Sequence, residues 1–486
     1  MTIKDLKPSH VFAIFDEINH VPRPSKKEEK IRQYLLDFAA KHNIAVRTDA
    51  IGNVVMSIPA TPGKEGAPTV VLQAHMDMVC ESNDKSFDFE TMPIKTIVDG
   101  DWLRADGTTL GADNGIGMAA ALAVMIDDTL VHGPVEALFT VDEETGLTGA
   151  NNLGDGMLTG TILLNLDSED DAEIFVGCAG GVDTTCTFNY KRSFAPTDFH
   201  YFRFEISGGL GGHSGGDIHL GRANANKLLA RFLYGLSTNH GISLSEIDGG
   251  NLRNAIPRAA HAVFGVETAS KEKIVAEFNK FVADVEGEYA GLETGLTMTL
   301  TTTDRPEFTV DSATTLALIE ALYSAPHGVI SMSRDLEGLV ETSTNLASVK
   351  MIGEHQILVT TSQRSSVESR KWDIAHQVEA LFRLAGAEVT HGDGYPGWAP
   401  NMNSRIMHIA SEAYEELYGI KPAIKAIHAG LECGLFLQKY PHLDMVSFGP
   451  TLRDVHSPSE RMYIPAVERF WGQLRRTIEK VAELKK

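Results

Sequence analysis

The chain has 486 residues, 43% hydrophobic and 22% charged, the balance of an ordinary globular protein. That length exceeds what a single core usually organises, so two or three domains are expected. Its 43 basic and 65 acidic residues leave a net charge of −22, a field that repels polyanions and argues against nucleic acid or an anionic membrane as partner.

The first twenty residues lack a basic start followed by an apolar core, so no secretory signal is expected. The longest apolar run, Gly115 to Ile126, is too short to span a bilayer. Four cysteines (Cys80, Cys178, Cys186, Cys433) form no C-x-x-C pair. A disulfide framework or zinc knuckle is therefore not expected, and a reducing cytoplasm is the expected location.

In chain order, Ile31, Tyr34, Leu35 and Phe38 mark one face of a helix that follows a break at Pro22 to Ser25. The runs 69–72, 135–141 and 161–164 read as buried strands, with a helix over Gly115 to Ile126 between the first two. Strands alternating with helices predict a mostly parallel sheet with helices on both faces. After Cys186 the pattern turns to period two, as in Phe202-Arg-Phe-Glu-Ile206, with helices near 222–237 and 272–287. An antiparallel sheet with helices on one face is expected there. A similar unit follows, with a strand at Ile357 to Thr361, a helix over 368–385 and a strand near Ala387. The stretch Gly392 to Trp398 reads as an exit linker. From about residue 400 the α/β texture returns, ending in an amphipathic helix with Val467, Phe470, Trp471, Leu474, Ile478 and Val481 on one face. The expected architecture is an α/β catalytic domain (1–187 and 399–486) interrupted by an inserted α+β lid domain (188–398).

Polar residues cluster where these strands end. The first strand runs into Gln73-Ala-His75-Met-Asp77, the second into Asp142-Glu143-Glu144 and the third into Asn165-Leu-Asp167-Ser168. Gly111-Ala-Asp113-Asn-Gly115 forms a turn before a helix. In an open α/β sheet the carboxyl ends of parallel strands line the ligand crevice. Taken singly, each acidic group reads equally well as a helix cap or a loop residue; four in matching positions are harder to dismiss. Crowded carboxylates need a neutralising cation. A histidine among them suits zinc, cobalt or manganese better than calcium. His456, in the loop after Met445 to Pro450, is one of 18 histidines and only a weak second ligand on spacing alone.

These motifs, in this order, resemble the two-zinc peptidase family that includes carboxypeptidase G, aminoacylase and the dipeptidases. The runs Gln-Ala-His75-Met-Asp77-Met-Val-Cys, Asn-Leu-Asp167-Ser-Glu-Asp and Gly-Gly-His213-Ser-Gly-Gly-Asp-Ile-His219 are closest to its bacterial aminoacyl-histidine dipeptidases. The resemblance covers essentially the whole chain. It implies hydrolysis of small unblocked peptides, Xaa-His and β-alanyl-histidine types above all, with two divalent metal ions, zinc first and cobalt or manganese as alternatives.

Within the resemblance, Asp113 bridges the ions, His75 and Asp167 complete one site, and Glu144 and His456 complete the other. Asp77 orients His75, Glu143 is the general base, and a cis peptide joins Asp113 to Asn114. His213 is the lid histidine that stabilises the oxyanion, while Asn254 and Arg364 hold substrate. Arg364 at a strand end suits a C-terminal carboxylate gripped through two parallel bonds; its plain alternative is a surface arginine pairing with Glu368. Glu432, after the strand Ala423 to Ile427, is a candidate for the substrate ends. His219 and Asn224 shape the turn after His213. A homodimer through the lid is expected, with His213 serving its own subunit or the partner. The competing readings are an aminoacylase or deacylase, a metal-binding protein without turnover, and a two-metal phosphatase. The last lacks a glycine-rich phosphate loop.

Overall fold

The apolar runs of the first third and the last fifth of the sequence build one eight-stranded sheet in the computed structural model, which describes residues 2–485. In spatial order the strands are Ala45–Thr48, Val54–Ile58, Val135–Thr140, Val70–His75, Ile162–Asn165, Asp444–Ser447, Glu173–Cys178 and Ala423–Ile427. The middle four run parallel. Antiparallel pairs flank them on both sides. Val70–His75 and Val135–Thr140 are buried at every position, which explains why they read as continuous apolar runs and not as alternating ones. The mixed α/β character matches expectation. The antiparallel flanks went unread because Val54–Ile58 is short and carries no turn signature of its own.

Helix Ala112–Met125 is buried almost throughout, and the last helix, Ile464–Ala482, buries all six of its predicted apolar positions. A four-stranded sheet (Leu452–Arg453, Arg461–Tyr463, Trp102–Ala105, Thr96–Asp99) belongs to the same compact unit, which comprises Met1–Gly177, Pro400–Ala426 and Leu431–Lys486.

The second compact unit, Cys178–Ala399 with Ile427–Gly430, is built on an antiparallel sheet of nine strands. Phe202, Phe204 and Ile206 lie opposite Phe264, Ala262 and Ala260 in register, and their shared face meets helices Ala225–His240, Lys271–Glu288, Ser312–Ser324 and Glu368–Leu384 in one core. Phe204, Phe232, Phe278 and Phe281 pack there edge to face or tilted, at centroid separations from 4.9 to 6.1 Å. The stretch expected as a separate, similar unit is continuous with the first. Strand Val340–Ile352 pairs with Ser243–Gly249 through Asp248↔Lys350 and Gly249↔Val349, so one sheet and one core serve both halves. Gly392 to Trp398 is not a loose linker. Trp398 and Tyr395 exchange backbone hydrogen bonds with Cys178 and Gly181. Among the described residues no helix is long and apolar enough to cross a membrane.

Candidate active site

Val70–His75, Val135–Thr140 and Ile162–Asn165 pair side by side in parallel, so the residues that follow them emerge at one edge. His75, Asp77, Glu143, Glu144 and Asp167 are delivered there together. The fourth motif arrives by a helix start. Gly111 adopts φ 68°, and a Cβ at that position would meet the Arg23 guanidinium at 2.5 Å, so only glycine makes this turn. The peptide between Asp113 and Asn114 is cis.

His456 arrives from more than three hundred positions further along the chain because strand pairing carries it. Leu452–Arg453 pairs with Arg461–Tyr463, which pairs with Trp102–Ala105 just upstream of Gly111. The loop between the two late strands ends at Glu460, which is 2% exposed. Its carboxylate accepts the backbone N–H groups of Leu110, Gly111, Ala112 and Asp113 at 2.7 to 3.3 Å. Asp454 and His456 hold left-handed φ angles of 55° and 60°, conformations that cost non-glycine residues energy and that cluster at functional sites.

The resulting geometry divides in two about Asp113. Its Oδ1 lies 3.0 Å from His75 Nε2 and its Oδ2 lies 3.1 Å from His456 Nε2. Asp167 Oδ1 approaches His75 Nε2 at 3.5 Å, and Glu144 Oε2 approaches His456 Nε2 at 3.1 Å. Ligand atoms of His75, Asp113 and Glu144 lie within 4.8 Å of one another. Glu144 Oε1 and Asp167 Oδ1 are buried with no hydrogen-bond partner in the protein. Buried carboxylate oxygens left in that state are costly, and a cation satisfies them. The donor set of two imidazoles and three carboxylates fits zinc, cobalt or manganese.

Electrostatics tell the same story. Burial pushes Asp167 up to about 6, although the charge of His75 opposes it. Burial likewise raises Glu143 well above the carboxylate range, with the negative charges of Asp167, Glu432 and Glu144 adding to it and His75 opposing. His456 rises to about 11 through its hydrogen bonds to Asp113 and Glu144. These side chains gather more negative than positive charge, the condition that a divalent cation relieves.

Asp77 faces His75 Nδ1 at 3.3 Å and so orients the imidazole from behind. It also accepts the backbone N–H groups of Glu143 and Glu144, at 3.0 and 3.3 Å, and the Ser25 hydroxyl at 2.7 Å. One buried carboxylate thereby positions both the histidine and the two glutamates. Glu432 is 1% exposed. Its Oε2 accepts from Gln73 Nε2 at 2.5 Å and Thr140 Oγ1 at 3.0 Å, which leaves Oε1 unpartnered, and burial lifts its pKa to about 8.

The remaining predicted residues, His213, Asn254 and Arg364, lie in the second unit. Gly212–His213 pairs with Ala255–Ile256, which sets Asn254 beside the His213 loop. His213 Nδ1 accepts the backbone N–H groups of Gly215 and Gly216, at 3.2 and 3.0 Å. The ring proton is therefore on Nε2, leaving a donor free. Burial lowers the His213 pKa, and the positive charge of Arg364 adds to the effect. Arg364 is buried and does not pair with Glu368. Its Nη1 donates to the Tyr395 hydroxyl at 2.7 Å, and its Nε has no partner. Asn224 caps the helix Ala225–His240 by accepting from Lys227 N–H at 3.2 Å.

His428, unread in the sequence, completes this group. It is buried, with Nε2 2.7 Å from Ser343 Oγ. Burial depresses its pKa from 6.5 to about 3, with Arg364 adding to the effect. Folded, it stays neutral where the unfolded chain takes up a proton. Its contribution to stability is intact above about pH 6.5 and falls progressively as pH drops below that toward 3. His428→Gln is expected to flatten the decline of unfolding free energy between pH 6.5 and 4, measured by urea titration; an unchanged slope would refute the assignment.

The sequence profile of peptidase family M20/M25/M40 matches residues 71–480. The chain belongs to that family. It is 41% identical over 480 residues to the cytosol non-specific dipeptidase of Escherichia coli K12, covering 99% of each chain. The crystal structure of aminoacylhistidine dipeptidase from Vibrio alginolyticus superposes with a TM-score of 0.94 at 42% identity, covering 100% of this chain and 99% of that one. An aminopeptidase structure from Bacillus cereus, 16% identical with a TM-score of 0.62 over 98% of this chain and all of the other, shares the fold.

Proposed function

We propose that this chain is a two-metal dipeptidase that cleaves unblocked dipeptides, Xaa-His among them, with Glu143 as general base. The observation that carries the reading is Asp113, which turns one oxygen to His75 and the other to His456. Glu143, whose carboxylate feels the charges of His75, Asp167 and Glu144, has no place in either ligand set. In this reading His75, Asp113 and Asp167 would hold one divalent cation, and Asp113, Glu144 and His456 would hold the other. Such a pair, when bound, would supply an acidified water and polarisation of the scissile carbonyl.

The side chains do the rest. Glu143 takes the water's proton and returns it to the leaving amine. His213, with its proton on Nε2, donates to the developing oxyanion. Arg364, held by Tyr395 and with a donor to spare, grips the C-terminal carboxylate, and Asn254 assists. Glu432 has one oxygen occupied by Gln73 and Thr140, so only Oε1 remains for the substrate amine. Zinc is the preferred metal, with cobalt or manganese as substitutes. We further infer a cytoplasmic homodimer joined through the lid domain, 188–398.

The names of both relatives near 40% identity favour a dipeptidase over an aminoacylase. The test is hydrolysis of Ala-His and β-alanyl-histidine against N-acetylhistidine. Preference for the acetylated compound would overturn the reading. Chelation is expected to abolish turnover, and Zn²⁺, Co²⁺ or Mn²⁺ to restore it; full activity in metal-free protein would end the proposal. Arg364→Ala is expected to raise KM at least tenfold for a free dipeptide, the loss of about 1.4 kcal/mol or more of charge-assisted binding. It should change KM little for the C-terminal amide. Equal losses on the two substrates would show that Arg364 does not read the carboxylate.

A further inference from the structure

The second unit holds another cluster of ligand-type side chains, which the peptidase chemistry leaves unused. His376 and Glu379 stand one turn apart on helix Glu368–Leu384, and His391 ends the strand Glu388–His391. A three-residue step puts the first two on one helix face. The strand is the edge of the nine-stranded sheet and brings the third to meet them. One ligand atom from each lies within 4.8 Å of the others.

The hydrogen bonding of His391 turns this proximity into a site. Its Nδ1 is 3.0 Å from Thr184 Oγ1, whose own proton goes to Gln363 Oε1 at 2.7 Å. The hydroxyl therefore accepts from Nδ1–H. Gln363 is fixed in turn, because its Nε2 donates to Thr361 Oγ1 at 2.7 Å and Thr344 Oγ1 at 3.2 Å. Thr184, Thr344, Thr361 and Gln363 are all 0% exposed, so water does not compete for these bonds. With the proton held on Nδ1, the lone pair of Nε2 looks outward at Glu379 Oε2, 3.2 Å away. Two acceptors at that range repel unless a second proton or a cation lies with them. A buried acceptor behind the ring and a carboxylate in front is the surrounding that metal-binding histidines have.

Arg383 Nη1 holds the other oxygen, Glu379 Oε1, at 3.2 Å, which fixes the carboxylate and leaves Oε2 toward the cluster. The cluster borders a surface hollow of about 430 Å³ lined by His376, Glu379, Ala380, Arg383 and Leu384, with room for water at a fourth position. Two imidazoles and one carboxylate suit zinc and its neighbours copper, nickel and cobalt, not magnesium or calcium. We propose that His376, Glu379 and His391 bind a divalent transition-metal ion that fastens helix Glu368–Leu384 to the edge strand, independently of the hydrolytic site.

The ring of Trp372 lies 5.8 Å from that of His376 and 5.7 Å from that of His391, so it reports on occupancy. Full-length protein is stripped with chelator and re-equilibrated against micromolar buffered Zn²⁺. The wild type is expected to hold one equivalent more than H376A/H391Q, counted by mass spectrometry of the metal. Thr184→Val, which removes the acceptor behind His391, should weaken that extra equivalent by about 10–100-fold. Cu²⁺ should quench a component of tryptophan fluorescence that Trp372→Phe and H376A/H391Q both lack. Equal zinc content in wild type and H376A/H391Q, an extra equivalent only at millimolar metal, or the same Cu²⁺ quench in H376A/H391Q would each overturn the site and leave only a His391–Glu379 side-chain contact. His376 is exposed, so its removal does not threaten the fold.

Discussion

Glu143→Gln is expected to keep its fold and its metal and to lose turnover, whereas the neighbouring Glu144→Gln is expected to lose metal. The two residues follow the same strand, and Asp77 holds both of their backbone N–H groups. Neither main-chain position depends on its own side chain, so a substitution tests the carboxylate alone. Glu144 Oε2 sits 3.1 Å from His456 Nε2 in the second half-site. A neutral amide there is a poor ligand beside the Asp113 carboxylate, and occupancy should fall. Glu143 feels the charges of His75, Asp167 and Glu144 and, in the proposed mechanism, belongs to neither half. Glutamine keeps its size and removes its basicity. A positioned general base is worth on the order of 10²–10⁴ in rate, and the loss can exceed that because the same carboxylate also serves the leaving amine. Metal content and kcat on one dipeptide decide it. If Glu143→Gln shed metal while Glu144→Gln kept it, the two roles would be reversed. A near-normal kcat in Glu143→Gln would remove the general-base mechanism.

The residues proposed to carry this chemistry were legible for a physical reason. Strands buried at every position read as continuous apolar runs, so the polar residues that end them stand out as His75, Asp77, Glu143, Glu144 and Asp167. His456 did not stand out in that way. Its place depends on Arg461–Tyr463 pairing with Trp102–Ala105, a long-range registration that leaves no local periodicity. The scaffold of the site was invisible for the same reason. Arg23, wholly buried, donates to the carbonyls of Asp77 and Gly111 at 2.9 and 2.6 Å and ties the first motif to the second. In sequence it is one arginine between two prolines. Glu460 is one more acidic residue in a loop until four backbone N–H groups converge on it. The continuity of the lid sheet was missed because only two residue pairs join its halves, while each half carries its own strands and helices. Gln363 and Thr184 look like strand polarity of the ordinary kind. Only their complete burial shows them to be an internal hydrogen-bond chain.

Asp113→Ala should empty both half-sites together, while His75→Ala and His456→Ala should each chiefly empty one. Among the described residues, Asp113 is the one side chain placed against both histidines, at 3.0 Å through one oxygen and 3.1 Å through the other. Alanine removes both contacts and the charge that would balance two cations. The turn itself should survive, because Glu460 and Arg23 hold its backbone through Leu110, Gly111 and Ala112. Loss of an outer partner typically costs about 10–100-fold in metal affinity, and loss of a shared ligand should cost more at each position. The histidines should differ in stability as well as in content. His75 is 1% exposed and packed beneath the site, whereas His456 is half exposed on its loop, so His75→Ala should lower Tm further. Metal analysis after dialysis against buffered zinc, with melting curves on the same samples, gives the answer. If Asp113→Ala still held two equivalents, Asp113 would not be the bridge. If His456→Ala emptied both positions, the site would be one cooperative cluster instead of two halves hinged on a single carboxylate.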